Sequence, residues 1–373
     1  MQKIIFGITS LTLGGAERVL VDGVNELSNR FDITIFTLYG QGELENELSD
    51  NIKIINMINK PYKKLKQREK LAVSLKLLLN KKAIYKKYIN KGYNTEIAFL
   101  EGPITRLFSA KNKKVRKIAW VHNDISQVFG KGIKASIKKK MDKKCYSQYD
   151  KIVFVSNDNK EQFENTYKID NDKVVIYNYI SSKRILEKAN LRYGNIFKEG
   201  KINFLTVARL TKQKAIDRLI KVHSKLIDDG VEHNFFIIGD GPEKENLLEL
   251  IKVYNVQDSF KLLGQKENPY PYIKNCDIYA LLSHFEGYGM TVVEAEILDK
   301  PILLTDTAAR EAVEKYKKSY ITENTEQGIY DGIKNSIKLL KQWENQKEQQ
   351  YFEQYEIINQ IEKLVKNKWN YQF

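Results

Sequence analysis

The chain has 373 residues, of which 42% are hydrophobic and 29% are charged, and it carries a net charge of +15. This composition excludes wholesale disorder, and the length predicts about two domains. The two cysteines, Cys145 and Cys276, lie far apart without a paired spacing, which excludes a disulfide framework and any cysteine-based zinc or iron–sulfur site.

Short apolar runs alternate with longer stretches of helical periodicity along the whole chain. In the N-terminal half, strands are predicted at residues 3–8, 33–38, 52–55, 95–100, 116–121, 151–156 and 174–177. In the C-terminal half, they are predicted at residues 202–207, 235–238, 260–263, 278–282 and 302–305. Most of these runs are apolar throughout, which is typical of parallel sheets covered by helices on both faces. The sequence therefore predicts an α/β protein with two doubly wound, Rossmann-like domains.

The predicted domain boundary lies in a polar segment, residues 181–200. We place the N-terminal domain at residues 1–185 and the C-terminal domain at residues 186–345. Residues 346–373 have helical periodicity and predict a terminal helix that packs back across the domains. No apolar run approaches the roughly 20 residues that a membrane-spanning helix needs.

Positive charge is concentrated in two segments of the N-terminal half. Residues 60–91 carry twelve basic residues and one acidic residue, and residues 111–144 carry twelve basic and two acidic residues. Each segment also has apolar residues at helical spacing: Leu71, Leu75, Leu78, Tyr85 and Ile89 in the first, and Ile133, Ile137, Met141 and Cys145 in the second. These stripes could face the protein core, with the lysines solvated, or the basic helices could lie on an anionic membrane surface. Nucleic acid is not predicted as a partner, because no recognition module is present.

Doubly wound sheets bind ligands at the carboxyl ends of their strands, where helix N-termini point. Gly14 and Gly15 follow the first predicted strand and would let a ligand approach the backbone, although a tight turn without a ligand explains them equally well. The segment contains neither a dinucleotide-binding fingerprint nor a P-loop.

Two cations follow the first strand of the C-terminal half. Arg209 and Lys214 flank a turn that leads into a helix predicted to begin near Ala215. A guanidinium and an ammonium beside a helix N-terminus suit a diphosphate. The alternative is a pair of solvated surface charges.

A pair of carboxylates forms the most specific pattern in the chain. Glu286 lies in a glycine-rich turn after residues 278–282, and Glu294 lies eight residues later in a helix predicted to begin near Gly289. Paired carboxylates can accept charge-assisted hydrogen bonds from the vicinal hydroxyls of sugars and riboses. The intervening Gly287, Tyr288, Gly289 and Met290 would bring the backbone close to that ligand. Without a ligand, the two acids would simply be favoured by the helix dipole.

Histidines are scarce, and only His122 directly follows a predicted strand, which makes it a candidate catalytic residue. His223 and His233 are predicted on the surface of a helix and a loop. The sequence Asp170-Asn171-Asp172 resembles a metal-binding Asp-x-Asp motif, but it precedes a strand, where Asx-rich turns are common. We therefore predict no metal site.

Together these motifs resemble those of the family 4 retaining glycosyltransferases, which have the GT-B fold. The resemblance covers nearly the whole chain. It is carried by the Glu-x7-Glu motif of Glu286 and Glu294, by Gly14-Gly15-Ala16-Glu17, by Arg209 and Lys214, and by Ile238-Gly239-Asp240-Gly241-Pro242. The sequence departs from the family pattern at Ala215, where a glycine is usual, and at residues 307–311, where a glycine-rich turn is usual.

The resemblance implies two Rossmann-like domains that face each other across a cleft, with a nucleotide-sugar donor in the C-terminal one. Glu294 would hold the ribose and Glu286 the hydroxyls of the donor sugar, with residues 287–290 as part of the donor site. Arg209 and Lys214 would neutralise the leaving diphosphate. Gly14 and Gly15 would lie near the phosphates or the acceptor, and His122 near the donor sugar. Glu101 and Arg106, which follow the strand at residues 95–100, are candidates for the acceptor pocket.

The resemblance further implies a metal-independent hexosyltransferase that needs no cofactor besides its donor, expected to be a UDP-sugar. The basic N-terminal half favours a lipid-linked or saccharide acceptor in cell-surface polysaccharide or capsule assembly. It also favours a cytoplasmic protein bound peripherally to the inner face of the membrane. Two alternatives are a nucleotide-sugar oxidoreductase or epimerase and a non-enzymatic basic scaffold on a membrane. The scaffold would leave Glu286, Glu294, Arg209 and Lys214 unexplained as a set.

Overall fold

Two separate parallel sheets organise the chain in the computed structural model, which describes residues 1–123, 133–197, 199–344, 346 and 353–366. Unit 1 comprises residues 1–180 together with residues 352–373, and unit 2 comprises residues 181–351. The division after Ile180 lies five residues before the predicted boundary. The predicted α/β class with two Rossmann-like domains is confirmed.

Unit 1 is built on a seven-stranded sheet with the order β3-β2-β1-β4-β5-β6-β7. Its strands are β1 (Lys3–Ile8), β2 (Asp32–Tyr39), β3 (Lys53–Ile58), β4 (Thr95–Ala98), β5 (Arg116–Val121), β6 (Lys151–Phe154) and β7 (Asp172–Val175). Its described helices are α1 (Gly15–Leu27), α2 (Gln67–Leu79), α3 (Lys81–Tyr88), α4 (Pro103–Phe108), α5 (Ile133–Tyr146) and α6 (Asn157–Tyr167). The helices bury side chains such as Val73, Phe108 and Phe163 against the apolar strands, so this core forms as the strand composition predicts.

Unit 2 has a six-stranded sheet with the order β10-β9-β8-β11-β12-β13. Its strands are β8 (Ile202–Val207), β9 (His233–Ile238), β10 (Phe260–Leu262), β11 (Ile278–Leu281), β12 (Ile302–Thr305) and β13 (Ser319–Thr322). Its described helices are α7 (Ser182–Ala189), α8 (Ile216–Asp228), α9 (Lys244–Val253), α10 (Tyr270–Asn275), α11 (Met290–Ile297) and α12 (Glu326–Glu344). The sequence analysis did not predict β13, because this short edge strand is only partly buried and lacks an apolar run.

The helix α13 (Glu353–Lys366) follows unit 2 in sequence but belongs to unit 1, where it packs against α1. Five of its apolar side chains are buried: Ile357, Ile358, Ile361, Leu364 and Val365. Gln354 accepts the backbone N–H of Ile180 through Oε1 at 2.8 Å, and Glu362 forms an ion pair with Arg30. The terminal helix is therefore an integral part of unit 1, and its predicted extension across both domains stays a prediction.

The basic helices do not all direct their apolar stripes to the core. Leu71, Leu75 and Leu78 are exposed by 63%, 47% and 62%, whereas Tyr85 and Ile89 are buried. On α5, the described members of the stripe behave similarly: Ile137 and Met141 are exposed and Cys145 is half-buried. The interpretation that both stripes face the core is therefore wrong for α2 and for these residues of α5. Neither helix, nor any other in the described part of the chain, is long and apolar enough to span a membrane.

Candidate functional site

The order of strands in unit 2 creates a crevice between β8 and β11. From β8 the chain adds β9 and β10 on one side of the sheet, and it then returns to add β11, β12 and β13 on the other. Ligands of open α/β sheets bind at such a reversal, beyond the carboxyl ends of the strands. The loops after β8 and β11 carry Lys214 and Glu286, so the topology brings these two predicted residues together.

Lys214 and Glu286 form an ion pair at the carboxyl edge of the sheet. The Lys214 Nζ to Glu286 Oε1 distance is 2.6 Å, and the Glu286 side chain is only 6% exposed. The two loops are also joined by the backbone, since the His284 N–H donates to the Gln213 carbonyl at 2.9 Å. A cation thus lies beside a buried carboxylate at the carboxyl ends of β8 and β11, where a diphosphate could approach the ammonium.

Arg209 follows β8 and is exposed, and no ion pair of its side chain is found within the described ranges. The turn between it and α8 ends at Ala215, which has φ 50° and ψ 37° and is completely buried. This left-handed conformation favours glycine, because a side chain there is strained. The departure from the family pattern at Ala215 therefore falls at a position where the backbone itself explains the usual glycine.

Glu294 lies on α11 and is buried, with an exposed fraction of 8%. The Tyr270 hydroxyl donates to Glu294 Oε1 at 3.2 Å and accepts a hydrogen bond from Arg184 Nη1 at 2.8 Å. Tyr270 begins α10 and Arg184 lies on α7, so three helices meet at this carboxylate. Sequence reasoning missed both residues, because nothing in the sequence indicates that these helices pack against α11.

Gly289 sets the start of α11. Its φ of 74° is left-handed, and a Cβ at this position would lie 2.7 Å from the Cβ of Ala309. Ala309 belongs to the turn that follows β12, at residues 307–311, where the family usually has glycines. Position 289 therefore needs glycine, both for its backbone angle and for its close approach to this neighbouring turn.

The Ile238-Gly239-Asp240-Gly241-Pro242 motif follows β9 and packs against the loop that carries Arg209. Gly239 has φ 148°, and a Cβ there would lie 1.9 Å from the Ala208 carbonyl oxygen. The Leu210 N–H donates to the Asp240 carbonyl at 3.0 Å. The motif thus fixes the backbone on both sides of Arg209, which explains its occurrence without assigning it a ligand.

Unit 1 has a corresponding reversal between β1 and β4. Gly14 and Gly15 lie exposed between β1 and α1, with Gly14 as the residue before the helix. Glu17 in the first turn of α1 lies against Gly14, where a Cβ would be 2.3 Å from its Oε2. Burial raises the pKa of Glu17. The predicted position of these glycines at a helix N-terminus is observed, and their ligand remains a prediction.

His122 directly follows β5 and is buried beside the rings of Phe99 and Trp120. Burial lowers the pKa of His122 to about 3, against the opposing effect of a hydrogen bond with the Phe99 backbone. Its Nε2 has no hydrogen-bond partner among the residues that the structure describes. A buried polar atom without a partner is costly, which makes His122 a candidate for a ligand contact.

Glu101 supports the backbone at His122, since it accepts hydrogen bonds from the N–H groups of His122 and Asn123. Burial raises the pKa of Glu101, and these hydrogen bonds oppose that effect. Arg106 contacts Asp142 instead, at 2.7 Å, and so joins α4 to α5. The observed contacts of both residues are structural, and their predicted place in an acceptor pocket stays a prediction.

Structural contacts account for two further features of the sequence. Asn171 donates to the Tyr146 and Tyr149 carbonyls, and Asp172 pairs with Lys151 at 2.6 Å, so the Asp-x-Asp segment anchors β7. The prediction that His223 and His233 lie on the surface is wrong. Both are buried in the core of unit 2 and share a hydrogen bond of 2.9 Å.

Comparisons with known proteins agree with this geometry. Residues 13–184 match the model of Glycosyltransferase Family 4, and residues 187–357 match that of Glycosyl transferases group 1. Together the two matches cover every strand except β1 and every motif named above.

Two relatives and one solved structure resemble the chain over most of its length. The first relative is N-acetylgalactosamine-N,N'-diacetylbacillosaminyl-diphospho-undecaprenol 4-alpha-N-acetylgalactosaminyltransferase of Campylobacter jejuni, 27% identical over 92% of this chain and 93% of that protein. The amylovoran biosynthesis glycosyltransferase AmsD of Erwinia amylovora is 25% identical over 82% and 81%. Anabaena HepE, solved in complex with UDP and glucose, has a TM-score of 0.72 at 16% identity and covers 98% and 99%.

Proposed function

Because the chain belongs to the family 4 glycosyltransferases of the GT-B fold, we propose that it transfers a hexose from a UDP-sugar to a lipid-linked acceptor. We further propose that the anomeric configuration is retained and that the product is a precursor of a cell-surface polysaccharide. The names of two relatives support this direction, since one acts on a diphospho-undecaprenol-linked saccharide and the other in amylovoran biosynthesis. HepE, with the same fold, was solved with UDP and glucose, which supports UDP as the nucleotide.

The observation that carries the proposal is the Lys214–Glu286 ion pair at the β8–β11 crevice. Glu294 lies on α11, the helix that follows the loop of Glu286. Glu294 would accept hydrogen bonds from the ribose hydroxyls, and Glu286 from hydroxyls of the donor sugar. Lys214 and the exposed Arg209 would contact the diphosphate that joins the ribose to the donor sugar.

The proposed chemistry is substitution at the anomeric carbon. The bond from that carbon to the β-phosphate oxygen breaks while the acceptor oxygen bonds to the same face of the sugar. Arg209 and Lys214 stabilise the negative charge that develops on the departing diphosphate, which is electrostatic catalysis. The acceptor proton passes to the leaving phosphate oxygen, so no protein base is needed. Because two side chains supply the positive charge, we propose that the reaction needs no metal ion.

His122 would serve the donor sugar as a neutral hydrogen-bonding group. With a pKa of about 3, the ring is uncharged at neutral pH and cannot act there as a proton-donating imidazolium. Its Nε2 would instead exchange a hydrogen bond with a sugar hydroxyl, which would satisfy an atom that lacks a partner among the described residues.

Thermal denaturation in the presence of nucleotides tests the donor site. Purified protein is screened with UDP, GDP, ADP, CMP and NAD, since a ligand at 100 times its Kd stabilises a protein by about 2.7 kcal/mol. We expect UDP to raise the Tm of wild type and of Glu249→Ala, an exposed acid on α9, but not of Glu294→Ala. Stabilisation by NAD alone would favour the oxidoreductase alternative and contradict the proposed transferase.

Two measurements test the finer chemistry. The anomeric configuration of the product, read from the one-bond C1–H1 coupling in its NMR spectrum, is expected to equal that of the donor. Transfer is expected to continue at an unchanged rate in EDTA. Inverted product would refute retention, and loss of transfer that Mg²⁺ or Mn²⁺ restores would refute metal independence.

Exposed apolar side chains among lysines support binding to an anionic membrane, where a lipid-linked acceptor would be found. Leu71, Leu75 and Leu78 lie on successive turns of α2, and Lys76 lies exposed between them. On α5, Ile137 and Met141 are exposed next to Lys138 and Lys140. Leucines that enter the interface and lysines that pair with anionic headgroups are the two contributions that bind such helices to membranes.

Vesicle flotation tests this surface with a matched control. The protein is mixed with vesicles of phosphatidylcholine containing phosphatidylglycerol, or of phosphatidylcholine alone. We expect binding to the anionic vesicles, reduced about tenfold or more when Leu71, Leu75 and Leu78 are changed to serine. Leu248 and Val253 are exposed apolar residues of α9 in unit 2, and the control changes both to serine. Equal binding to both vesicle types, or equal effects of both variants, would contradict the proposal.

A further inference from the structure

We infer that Arg184 and Tyr270 form a positioning relay that orients the Glu294 carboxylate, so that the donor site discriminates ribose from 2′-deoxyribose. The inference rests on the proposed function, because it assumes that Glu294 holds the ribose. Its basis is a chain of two hydrogen bonds from α7 through α10 to α11. Arg184 Nη1 lies 2.8 Å from the Tyr270 hydroxyl, which lies 3.2 Å from Glu294 Oε1.

The direction of these hydrogen bonds follows from the groups involved. A guanidinium has only donors, so Arg184 must donate to the phenolic oxygen of Tyr270. A phenol has a single hydrogen, and Arg184 therefore leaves it directed to Glu294. The carboxylate can only accept it, so each step has one polarity. The cation also increases the polarisation of the hydroxyl, which strengthens its bond to the carboxylate.

The relay lies where a change of orientation would matter. Tyr270 is 6% exposed and Glu294 is 8% exposed, so the hydrogen bond between them is shielded from water. Holding Oε1 restricts the rotation of the carboxylate, whose oxygens would accept the hydrogen bonds of ligand hydroxyls. Two vicinal ribose hydroxyls require a carboxylate at a defined angle, whereas a single hydroxyl tolerates a rotated one. Loss of the relay should therefore affect recognition of the second hydroxyl most.

The backbone and the side chain of Arg184 are both held in place. Arg184 lies in the first turn of α7, whose start is capped by Ser181 Oγ accepting the Arg184 N–H at 3.3 Å. Its guanidinium lies beside the Tyr270 ring, 5.5 Å from the ring centroid. Arg184 contacts Tyr270, and Tyr270 contacts Glu294, so we assign both as positioning residues rather than catalytic residues.

The test compares the affinities of UDP and 2′-deoxy-UDP, measured by isothermal titration calorimetry. Wild type is expected to bind UDP more tightly than 2′-deoxy-UDP by about tenfold, the effect of losing one hydrogen bond to a charged group. In Tyr270→Phe this ratio should fall to about two or less, because UDP binding weakens while 2′-deoxy-UDP binding changes little. Arg184→Gln, which keeps a polar side chain but removes the charge, should give an intermediate ratio.

The matched control is Tyr272→Phe, which removes a hydroxyl from the same helix. Tyr272 packs against Tyr193 with ring centroids 5.1 Å apart and should leave the ratio unchanged. If Tyr270→Phe weakens both nucleotides equally, or weakens neither, the relay is refuted while the proposed function stands. If Tyr270→Phe does not fold, an unchanged ratio in Arg184→Gln refutes the relay. If wild type binds none of UDP, GDP, ADP and CMP, the proposed function fails and the relay fails with it.

Discussion

The ammonium nitrogen of Lys214 lies 2.6 Å from Oε1 of Glu286, although the two residues are 72 positions apart in sequence. The parallel strands β8 and β11 lie side by side, and each ends immediately before the loop that carries one of the two charges. The buried carboxylate therefore holds a cation at the strand ends, where the proposed donor would place its diphosphate.

Lys214→Ala should reduce kcat by about a hundredfold to a thousandfold, which is typical when a preorganised group that stabilises developing negative charge is removed. The control is Lys212→Ala, because Lys212 is an exposed lysine of the same turn. We expect its kcat to stay near that of wild type. Transfer rates at saturating UDP-sugar measure the difference, and equal rates in the two variants would exclude a specific role for Lys214.

Ala215 predicts an unusual pattern of tolerance. Ala215 has a φ of 50° and a buried methyl group. Ala215→Gly therefore relieves backbone strain, but it also removes packing and increases the conformational entropy of the unfolded chain. These effects largely cancel, so the free energy of unfolding should stay within about 1 kcal/mol of wild type. Ala215→Val should lose about 2 kcal/mol or more, since a β-branched residue is strongly disfavoured there. Ala72→Val, at an exposed helical position, should cost only about 0.5 kcal/mol. Chemical denaturation measures all three.

A buried ion pair in unit 1 gives a third prediction. Lys117 Nζ lies 2.6 Å from Glu96 Oε2 and also donates to the Phe108 carbonyl, and both side chains are at most 3% exposed. Lys117→Met should destabilise the protein by about 3–5 kcal/mol, because it leaves a buried carboxylate without its cation. Lys53→Met removes the cation from an exposed pair with Asp32 and should change stability little. Similar Tm values for the two variants would contradict this assignment.

The buried histidine pair predicts acid sensitivity. His233 Nδ1 lies 2.8 Å from the Val231 carbonyl and must donate to it, so its Nε2 accepts from His223 Nδ1. His223 Nε2 then accepts from the Ser259 hydroxyl. A proton added to His233 Nε2 would face the N–H of His223, and a proton added to His223 Nε2 would require the Ser259 hydroxyl to change from donor to acceptor. Burial accordingly lowers the pKa of His223 to about 2 and of His233 to about 4.

The unfolded rings take up protons below about pH 6.5, whereas the folded rings do not. The contribution of this pair to the free energy of unfolding should therefore be constant above that pH and fall below it. Each ring contributes a slope of up to about 1.4 kcal/mol per pH unit. His223→Gln should reduce the slope between pH 6 and pH 4 by about half of the contribution of the His223–His233 pair. His284→Gln, at an exposed histidine, should change it little. Unfolding free energies measured across this range would show whether the slopes differ.

The strands were the most predictable part of the fold. The bounds of β1, β5, β8 and β12 are those expected from the sequence, because strands covered on both faces are continuous apolar runs. The edge strand β13 has no such run and was missed. The exposure of Leu71, Leu75 and Leu78 was also not predictable, since helical spacing shows that residues share a face but not what covers that face.

The site was predictable where its residues follow strands. Lys214 and Glu286 come together because the ends of parallel strands meet at one edge of a sheet, and glycine-rich turns mark those ends. Arg184 and Tyr270 are 86 residues apart in sequence, and their helices meet only through tertiary packing. Such contacts leave no local pattern, so only the structure could identify them.

The return of α13 to unit 1 affects the order in which the protein can fold during synthesis. A ribosome makes residues 353–366 only after it has made residues 181–351, which is all of unit 2. At about 5–20 residues per second, unit 1 waits about ten to thirty seconds for its last helix. During that time, the surface later covered by Ile358, Ile361 and Val365 is open to chaperones and to other nascent chains. Unit 2 has no such delay, so the C-terminal half of the chain can finish folding before the N-terminal half does.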